Sequence, residues 1–587
     1  MKLTPPTSRS LGVAVVVVVG VAIFAGSIPT STVGPAENAG LERAVGKIQH
    51  DGGKLILGSA RLCDSFDPAK SFDTWCSVVF RLYDRNLMAF SGQAGSASLQ
   101  TQPDLARAIP KVNTDKTKWT FKLRRNIRWD DGTAVTAQDV KYSIERLYAP
   151  TTFGTVNSDY LCLLSNCVKG MPAYRGPDKK HRNHLTTIQT FGDDTVIFNL
   201  KSPRFDFDRI LALPQFSIIQ RSREFLLQKH KHSYGYAPSS NGPFVLLLNN
   251  KAKTAKFVRN KYWVQASDAI RSPHVSNIAW TVFKDNQALD IATVENRIDI
   301  RLGTDFGLQN SSVASVANKN KTQIDRPFTG FTNFLVVRPQ TAPLNRVACR
   351  QAIFYALDKS SLLRIRGGDD TSALATSLIP PGVPGYSSGE DPYASLSSPT
   401  GNLDEAQSAL KRCGYPEGFE ITMAYLNIGV GTDLFRSVQS SLARIGIVVV
   451  PKRFDNYANF ISVTRNYEEL ANENISLIFS GAQTEIGSPI DYWSDFVDGR
   501  LVKPFDNQNL AMVNDPEINA KLDGMLTSPD QAPGLSAEIN SLVMHRAIYL
   551  PYSNERLIMY RNPRVLGIYI QQALGGQYDI VNVGLKH

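Results

Sequence analysis

Residues 129–147 read WDDGTAVTAQDVKYSIERL, with four acids, Asp130, Asp131, Asp139 and Glu145, in nineteen residues. Such a run belongs either to a catalytic or metal site or to the punctuation between a strand, a turn and a helix. Asp131-Gly132 is a turn dipeptide, because glycine tolerates positive φ. Thr136 followed three residues later by Asp139 forms a capping box, worth ~1 kcal/mol, and Val140, Ile144 and Leu147 then recur at helical spacing. Glu145 falls on the other helical face. The acids therefore do not converge, and the stretch reads as a strand–turn–helix frame.

The same alternation continues on both sides. Lys54-Leu-Ile-Leu-Gly58, Trp119-Thr-Phe-Lys-Leu123, Thr195 to Leu200 and Phe244 to Leu248 read as strands. Thr74 to Met88, Ala288 to Asn296, Val347 to Leu357 and Leu403 to Arg412 read as helices, the last closed by Gly414. Ile379-Pro-Pro-Gly-Val-Pro-Gly385 cannot be helical and is expected to be an extended loop. Strands and helices alternate, so the class is α/β or α+β.

The chain has 587 residues, 42% hydrophobic and 20% charged, enough for several domains of ordinary size. Its net charge of +11 is dispersed, the densest runs being Lys179-Lys-His-Arg182 and Lys229-His-Lys-His232. Nucleic-acid binders concentrate such charge in a stripe with interleaved aromatics, so no nucleic-acid partner is expected. Lys2 and Arg9 precede an uncharged run, Leu11 to Ile28, which reads as an export signal or an uncleaved anchor within residues 1–40. No cysteine stands directly after it, the first being Cys63, so lipid attachment by the usual lipoprotein route is not expected. Residues 41–51 read as a linker.

Six cysteines in an exported chain permit disulfides, with fifteen possible connectivities. The local choices are Cys63–Cys76 and Cys162–Cys167, which leave Cys349–Cys413; buried free thiols are the alternative. No CxxC pairs mark a zinc site. His181, His184, His230 and His232 have ligand-like spacing but cationic neighbours, which oppose a metal electrostatically. HExxH, GxSxG and GxxxxGK[ST] are missing, so no catalytic residue, metal or cofactor is expected.

Several short motifs, in order, resemble the family 5 extracellular solute-binding proteins. They are Asp64-Ser-Phe-Asp-Pro68, Trp119 to Leu123, Trp129 to Leu147, Asn241-Gly-Pro-Phe244 with Val258 to Trp263, and Asn345 to Ile353. Leu378-Ile-Pro-Pro-Gly382, Gly414 to Phe419 and Arg561-Asn-Pro-Arg-Val565 complete the series. The resemblance implies a two-lobed α/β periplasmic-binding-protein fold with an extra subdomain and a hinge. Lobe I would comprise 52–98, 224–325 and 545–587, the extra subdomain 99–223 and lobe II 326–544. It implies a binding protein and not an enzyme: a monomer that captures peptides or another small solute and delivers it to the membrane permease subunits of an ABC importer. An exported hydrolase and an anchored solute sensor are the alternatives.

In peptide-binding members a carboxylate pairs with the peptide's α-ammonium. The corresponding segment here, Ser480 to Trp493, puts Thr484 or Glu485 near that place, with Asp491 as a second acidic candidate or a helix cap. Dipeptide-binding relatives place an arginine after the strand matching Glu420 to Tyr425. This chain has Leu426-Asn-Ile-Gly-Val-Gly-Thr432 instead, which argues against a strict dipeptide pocket. Phe66, Trp75, Tyr425, Tyr492 and Trp493 are candidate lining aromatics, each with a plain core role as the alternative.

Overall fold

The computed structural model describes residues 46–586, apart from 72, 151, 153–155, 169–170, 178–183, 250–252, 304–306, 310–311, 314–320, 388 and 506. The N-terminal apolar run and His181 lie outside the described residues. No helix among the described residues is long and apolar enough to cross a membrane. The described chain forms two compact units: residues 46–327 with 558–586, and Phe328–Leu557.

The first unit opens with strand β1 (Lys54–Ser59). A separate four-stranded sheet follows, built from β2 (Lys111–Val112), β3 (Lys118–Lys122), β4 (Ile188–Phe191) and β5 (Thr195–Asn199) in the order β2-β3-β5-β4. Helix α1 (Ala137–Glu145) packs on this sheet. The chain then returns as β6 (Phe244–Asn249), β7 (Thr254–Arg259), β8 (Asn277–Val282) and β9 (Ile300–Arg301) to complete the sheet β6-β7-β8-β1-β9. Strand β1 runs parallel to β8 and β9, so their carboxyl ends share one edge.

The second unit holds a six-stranded sheet. Its strands are β10 (Phe328–Val337), β11 (Ser372–Leu374), β12 (Glu420–Leu426), β13 (Val448–Phe454), β14 (Ile475–Gln483) and β15 (Tyr549–Arg556), in the order β11-β15-β10-β14-β12-β13. Strands β12, β13 and β14 are mutually parallel. Strand β10 is antiparallel to both β14 and β15. The carboxyl ends of β12–β15 and the amino end of β10 therefore lie along one edge. Helices α2 (Val347–Ala356) and α3 (Leu403–Cys413) pack together, and Asn402 caps α3 by accepting from the Glu405 amide at 3.2 Å.

The opening stretch is the frame that its spacing suggests. Thr136 and Asp139 form a complete capping box, the Thr136 amide donating to the Asp139 carboxylate at 3.0 Å. Asp131 accepts from the Thr133 amide and Gln220, and Asp130 from the Ser240 amide. Glu145 differs from the expectation only in being buried, where it accepts from the Leu185 amide at 2.8 Å and pairs with His184. Arg146, next in sequence, clamps Asp67 at 2.6 Å and Glu224 at 2.8 Å inside the first unit. Two motifs of the resemblance are thus joined by one buried ion pair.

Two expectations change. The expected helix over 74–88 ends at Phe80, a 3-10 turn at Thr74–Cys76 leading into one α-turn, Ser77–Phe80. Arg81, Asp84, Arg85 and Asn86, which follow that turn, are all buried. The Asn86 amide donates to Asp104, an interaction that a continued helix would not allow. The expected return to lobe I at 545 comes later, since β15 pairs with β10 from Val336–Tyr549 to Phe328–Arg556. A strand enclosed between β10 and β11 cannot leave that sheet, and the chain re-enters the first unit at 558.

The structure joins Cys63–Cys76, Cys162–Cys167 and Cys349–Cys413, with Cα separations of 5.9, 5.7 and 5.1 Å.

Candidate functional site

In open α/β sheets, ligands bind beyond the carboxyl ends of the strands, where loops leave the sheet and backbone groups are unspent. In the second unit this edge carries the segment after β14. Strand β14 ends at Gln483, opposite Phe331 of β10. Two residues earlier, a Cβ on Gly481 would lie 2.1 Å from the Phe331 ring, so only glycine lets that ring cross β14.

Beyond Gln483 the chain turns into helix α4 (Pro489–Val497), which starts with proline at its first position, where the missing N–H costs no bond. Asp491 organises the turn. Its Oδ2 accepts from the Thr484 hydroxyl and the Glu485 amide, both at 2.9 Å, and the Thr484 hydroxyl oxygen accepts from the Ser488 amide at 3.2 Å. Thr484 and Asp491 therefore hold the loop together.

Glu485 is different. It is half-buried, and among the described residues its carboxyl has no hydrogen-bond donor and no cationic partner. Desolvation pushes this carboxyl up, and the neighbouring Asp491 and Asp495 carboxylates push it further. A carboxyl in that state gains most from a cation placed against it.

On the other side of β10 the same edge carries a group that the sequence did not mark. Glu555, near the end of β15, accepts from Asn333 Nδ2 at 3.0 Å and lies 3.6 Å from Arg366. The Arg366 Nε donates to the Tyr552 hydroxyl at 3.0 Å. Burial raises the Glu555 carboxyl, and Arg366 and Asn333 partly offset this. Nothing in the local pattern of residues 549–556 distinguishes this acid from an ordinary strand residue. Its place emerges only from the pairing of β15 with β10.

The five aromatic candidates are core. Trp75 is 1% exposed and meets Trp280 edge-on at 5.8 Å, and Phe66 meets the same ring at 6.0 Å. Tyr425 stacks on Phe435 at 4.4 Å. Tyr492 and Trp493 face inward from α4, the first donating to the Leu378 carbonyl and the second to the Ser536 hydroxyl. Their apolar area is buried and stabilises each unit. Asp64, Asp73 and Cys76 approach one another, but Cys76 is in a disulfide and Asp73 is held by Arg61 at 2.5 Å, so they form no metal site.

The family model described as "Bacterial extracellular solute-binding proteins, family 5 Middle" matches residues 100–501, more than half of the chain. The chain belongs to the family 5 extracellular solute-binding proteins. Among solved structures, the clavulanic acid biosynthesis oligopeptide binding protein 2 is similar, with a TM-score of 0.84 and 30% identity, over 94% of this chain and 98% of that one. The MppA periplasmic murein tripeptide binding protein, in its unliganded open form, has a TM-score of 0.72 at 17% identity over 93% and 99%. The glutathione-binding protein GsiB of Salmonella choleraesuis (strain SC-B67) is 22% identical over 88% of this chain and 91% of its own. As a family 5 protein, the chain has the two-lobed α/β fold of periplasmic binding proteins.

Proposed function

We propose that this family 5 protein captures a peptide, or a similar small solute with a free ammonium group, outside the cytoplasmic membrane. It delivers that solute unchanged to the permease of an ABC importer. The observation that carries this reading is Glu485: a half-buried carboxyl without a cation among the described residues, on the loop beyond β14. Desolvating an unpaired carboxylate costs several kcal/mol, and a solute ammonium offsets that cost. The relatives named for oligopeptides, a murein tripeptide and glutathione are consistent with such a solute.

In this reading the two compact units act as the two lobes, and the chain works as a monomer. The solute stabilises whichever arrangement lets it contact both, and the permease reads that arrangement. Residues 1–40 direct export and either remain as an anchor or are removed. No bond of the solute is made or broken.

Titration calorimetry with a free tripeptide and its N-acetylated form tests the clamp. Glu485→Gln is expected to weaken binding of the free peptide at least tenfold and to leave the weaker binding of the acetylated form nearly unchanged. Equal losses for both peptides, or none for either, would reject the clamp.

A further inference from the structure

The first unit contains a buried acid that the reading above does not use. Asp84 is 2% exposed, and neither carboxyl oxygen has a hydrogen-bond partner. It lines a cavity of about 20 Å³ whose other polar walls are Ser77, Arg81, Asn86, Ser217 and Arg271.

The neighbouring donors are committed elsewhere. Arg271 gives Nε to the Arg81 carbonyl at 2.9 Å and Nη1 to Asp104 at 3.0 Å and Asp268 at 3.2 Å. Its Nη2 goes to Asp104 at 2.9 Å and to the Asp84 backbone carbonyl, not its carboxyl, at 3.2 Å. The Asn86 amide donates to the Leu211 and Leu213 carbonyls, and the Ser217 hydroxyl donates to Asn86 Oδ1. Arg81 gives Nη1 to the Phe90 carbonyl and sets Nη2 3.0 Å from Asp579, but its buried Nε has no acceptor. The residues lining the cavity thus include an orphaned donor, Arg81 Nε, and two orphaned acceptors, the Asp84 carboxyl oxygens. The volume exceeds the roughly 10–15 Å³ that a single water needs.

We propose that this cavity binds one water molecule, which accepts from Arg81 Nε–H and donates one hydrogen to an Asp84 carboxyl oxygen and the other to the hydroxyl oxygen of Ser217. Orphaned polar atoms of this kind cost too much to remain dry, and an ionised carboxylate without a direct donor costs more still. The charged and titratable groups facing Asp84 pull in both directions. Asp67 and Asp130 oppose its ionisation, Arg146 and Arg271 favour it, Arg81 lines the same cavity, and the Tyr83 and Tyr234 phenols lie close by. Burial is the largest influence and pushes the Asp84 carboxyl well up.

The site adjoins the edge of the first unit. Tyr83, the preceding residue, donates its hydroxyl to the Phe66 carbonyl at 2.9 Å, and Asp67 next to Phe66 is held by Arg146. A proton on Asp84 spares this pair a further buried negative charge.

The sign of the pH effect follows. A carboxyl raised in the folded protein binds a proton that the unfolded chain has already lost. Stability is greatest at acid pH and falls as pH rises from the unfolded carboxyl range toward the raised one. Asp84→Asn keeps the shape and removes that penalty. Its melting temperature relative to the native chain is expected to climb by about 2 °C or more between pH 5 and pH 8. An Asp84→Asn variant that is less stable by the same margin at both pH values would mean that Asp84 is an ionised, paired carboxylate, and would overturn the proposal. A high-resolution crystal structure of the native chain tests the water directly. Density for one water within hydrogen-bond reach of Arg81 Nε and Asp84 is expected. A dry cavity, or a direct Arg81–Asp84 bond, would equally overturn the proposal.

Discussion

Glu485 and Asp491 show how two acids six residues apart take opposite roles. Asp491 accepts three local donors and is a structural acid, whereas the Glu485 carboxyl accepts none among the described residues. The difference has a pH signature. Because the Glu485 carboxyl is raised in the free protein, ionising it costs stability, and the free protein weakens as pH rises through that range. A bound ammonium reverses the balance by favouring the carboxylate. Affinity for a free peptide is therefore expected to rise with pH from mildly acidic to neutral, until the peptide's own amine, near 7.7–8.0, begins to deprotonate. Calorimetry in buffers of different ionisation enthalpy should detect proton release on binding, and Glu485→Gln should abolish it. At this scale the sequence singled out Glu485 and Asp491 as candidates on one segment. It could not separate their roles, since the distinction lies in which amides each carboxylate meets. Nor could it tell lining aromatics from core: Trp75, Tyr492 and Trp493 have the same apolar character in either setting, and only burial decides.

The elements at the site depend on close packing across the sheet. Gly481 is where this is tightest, with Phe331 crossing the strand above it. Gly481→Ala is expected to destabilise the second unit by about 1–3 kcal/mol through overpacking, a loss measurable by urea denaturation. An unchanged midpoint would show that β10 and β14 can separate without cost. Capping boxes and the Gly414 stop were legible because they are local chemistry, and α1 and α3 lie where those signals put them. The segment 74–88 was not. Its apolar spacing looks helical, but its Arg85 is bound into a buried ionic network with Asp104, Asp268 and Arg271, which are distant in sequence.

For the whole molecule, ordered motifs spread over the chain carried more than any single one, and they sufficed for the family and the two-lobed fold. The boundary at 557 was beyond them, because an enclosed strand such as β15 reads alike in either sheet. The three disulfides divide unequally. Cys349–Cys413 spans 64 residues and lies in the second unit, whereas the other two lie in the first and span 13 and 5. Chain-entropy arguments make the longest bridge worth about 4 kcal/mol and the shortest about 2. Replacing Cys349 and Cys413 together with alanine is expected to lower the melting temperature more than the equivalent change at Cys162 and Cys167. The reverse order would show that native contacts, not loop closure, govern their contribution.

The central claim is that a free ammonium on the solute is gripped at Glu485 and the solute leaves intact. Native mass spectrometry of the protein incubated with matched free and N-acetylated tripeptides tests it most directly. The account predicts one equivalent of an unaltered free peptide bound per chain and a strong preference over the acetylated form. Cleavage products, or equal retention of both forms, would contradict it.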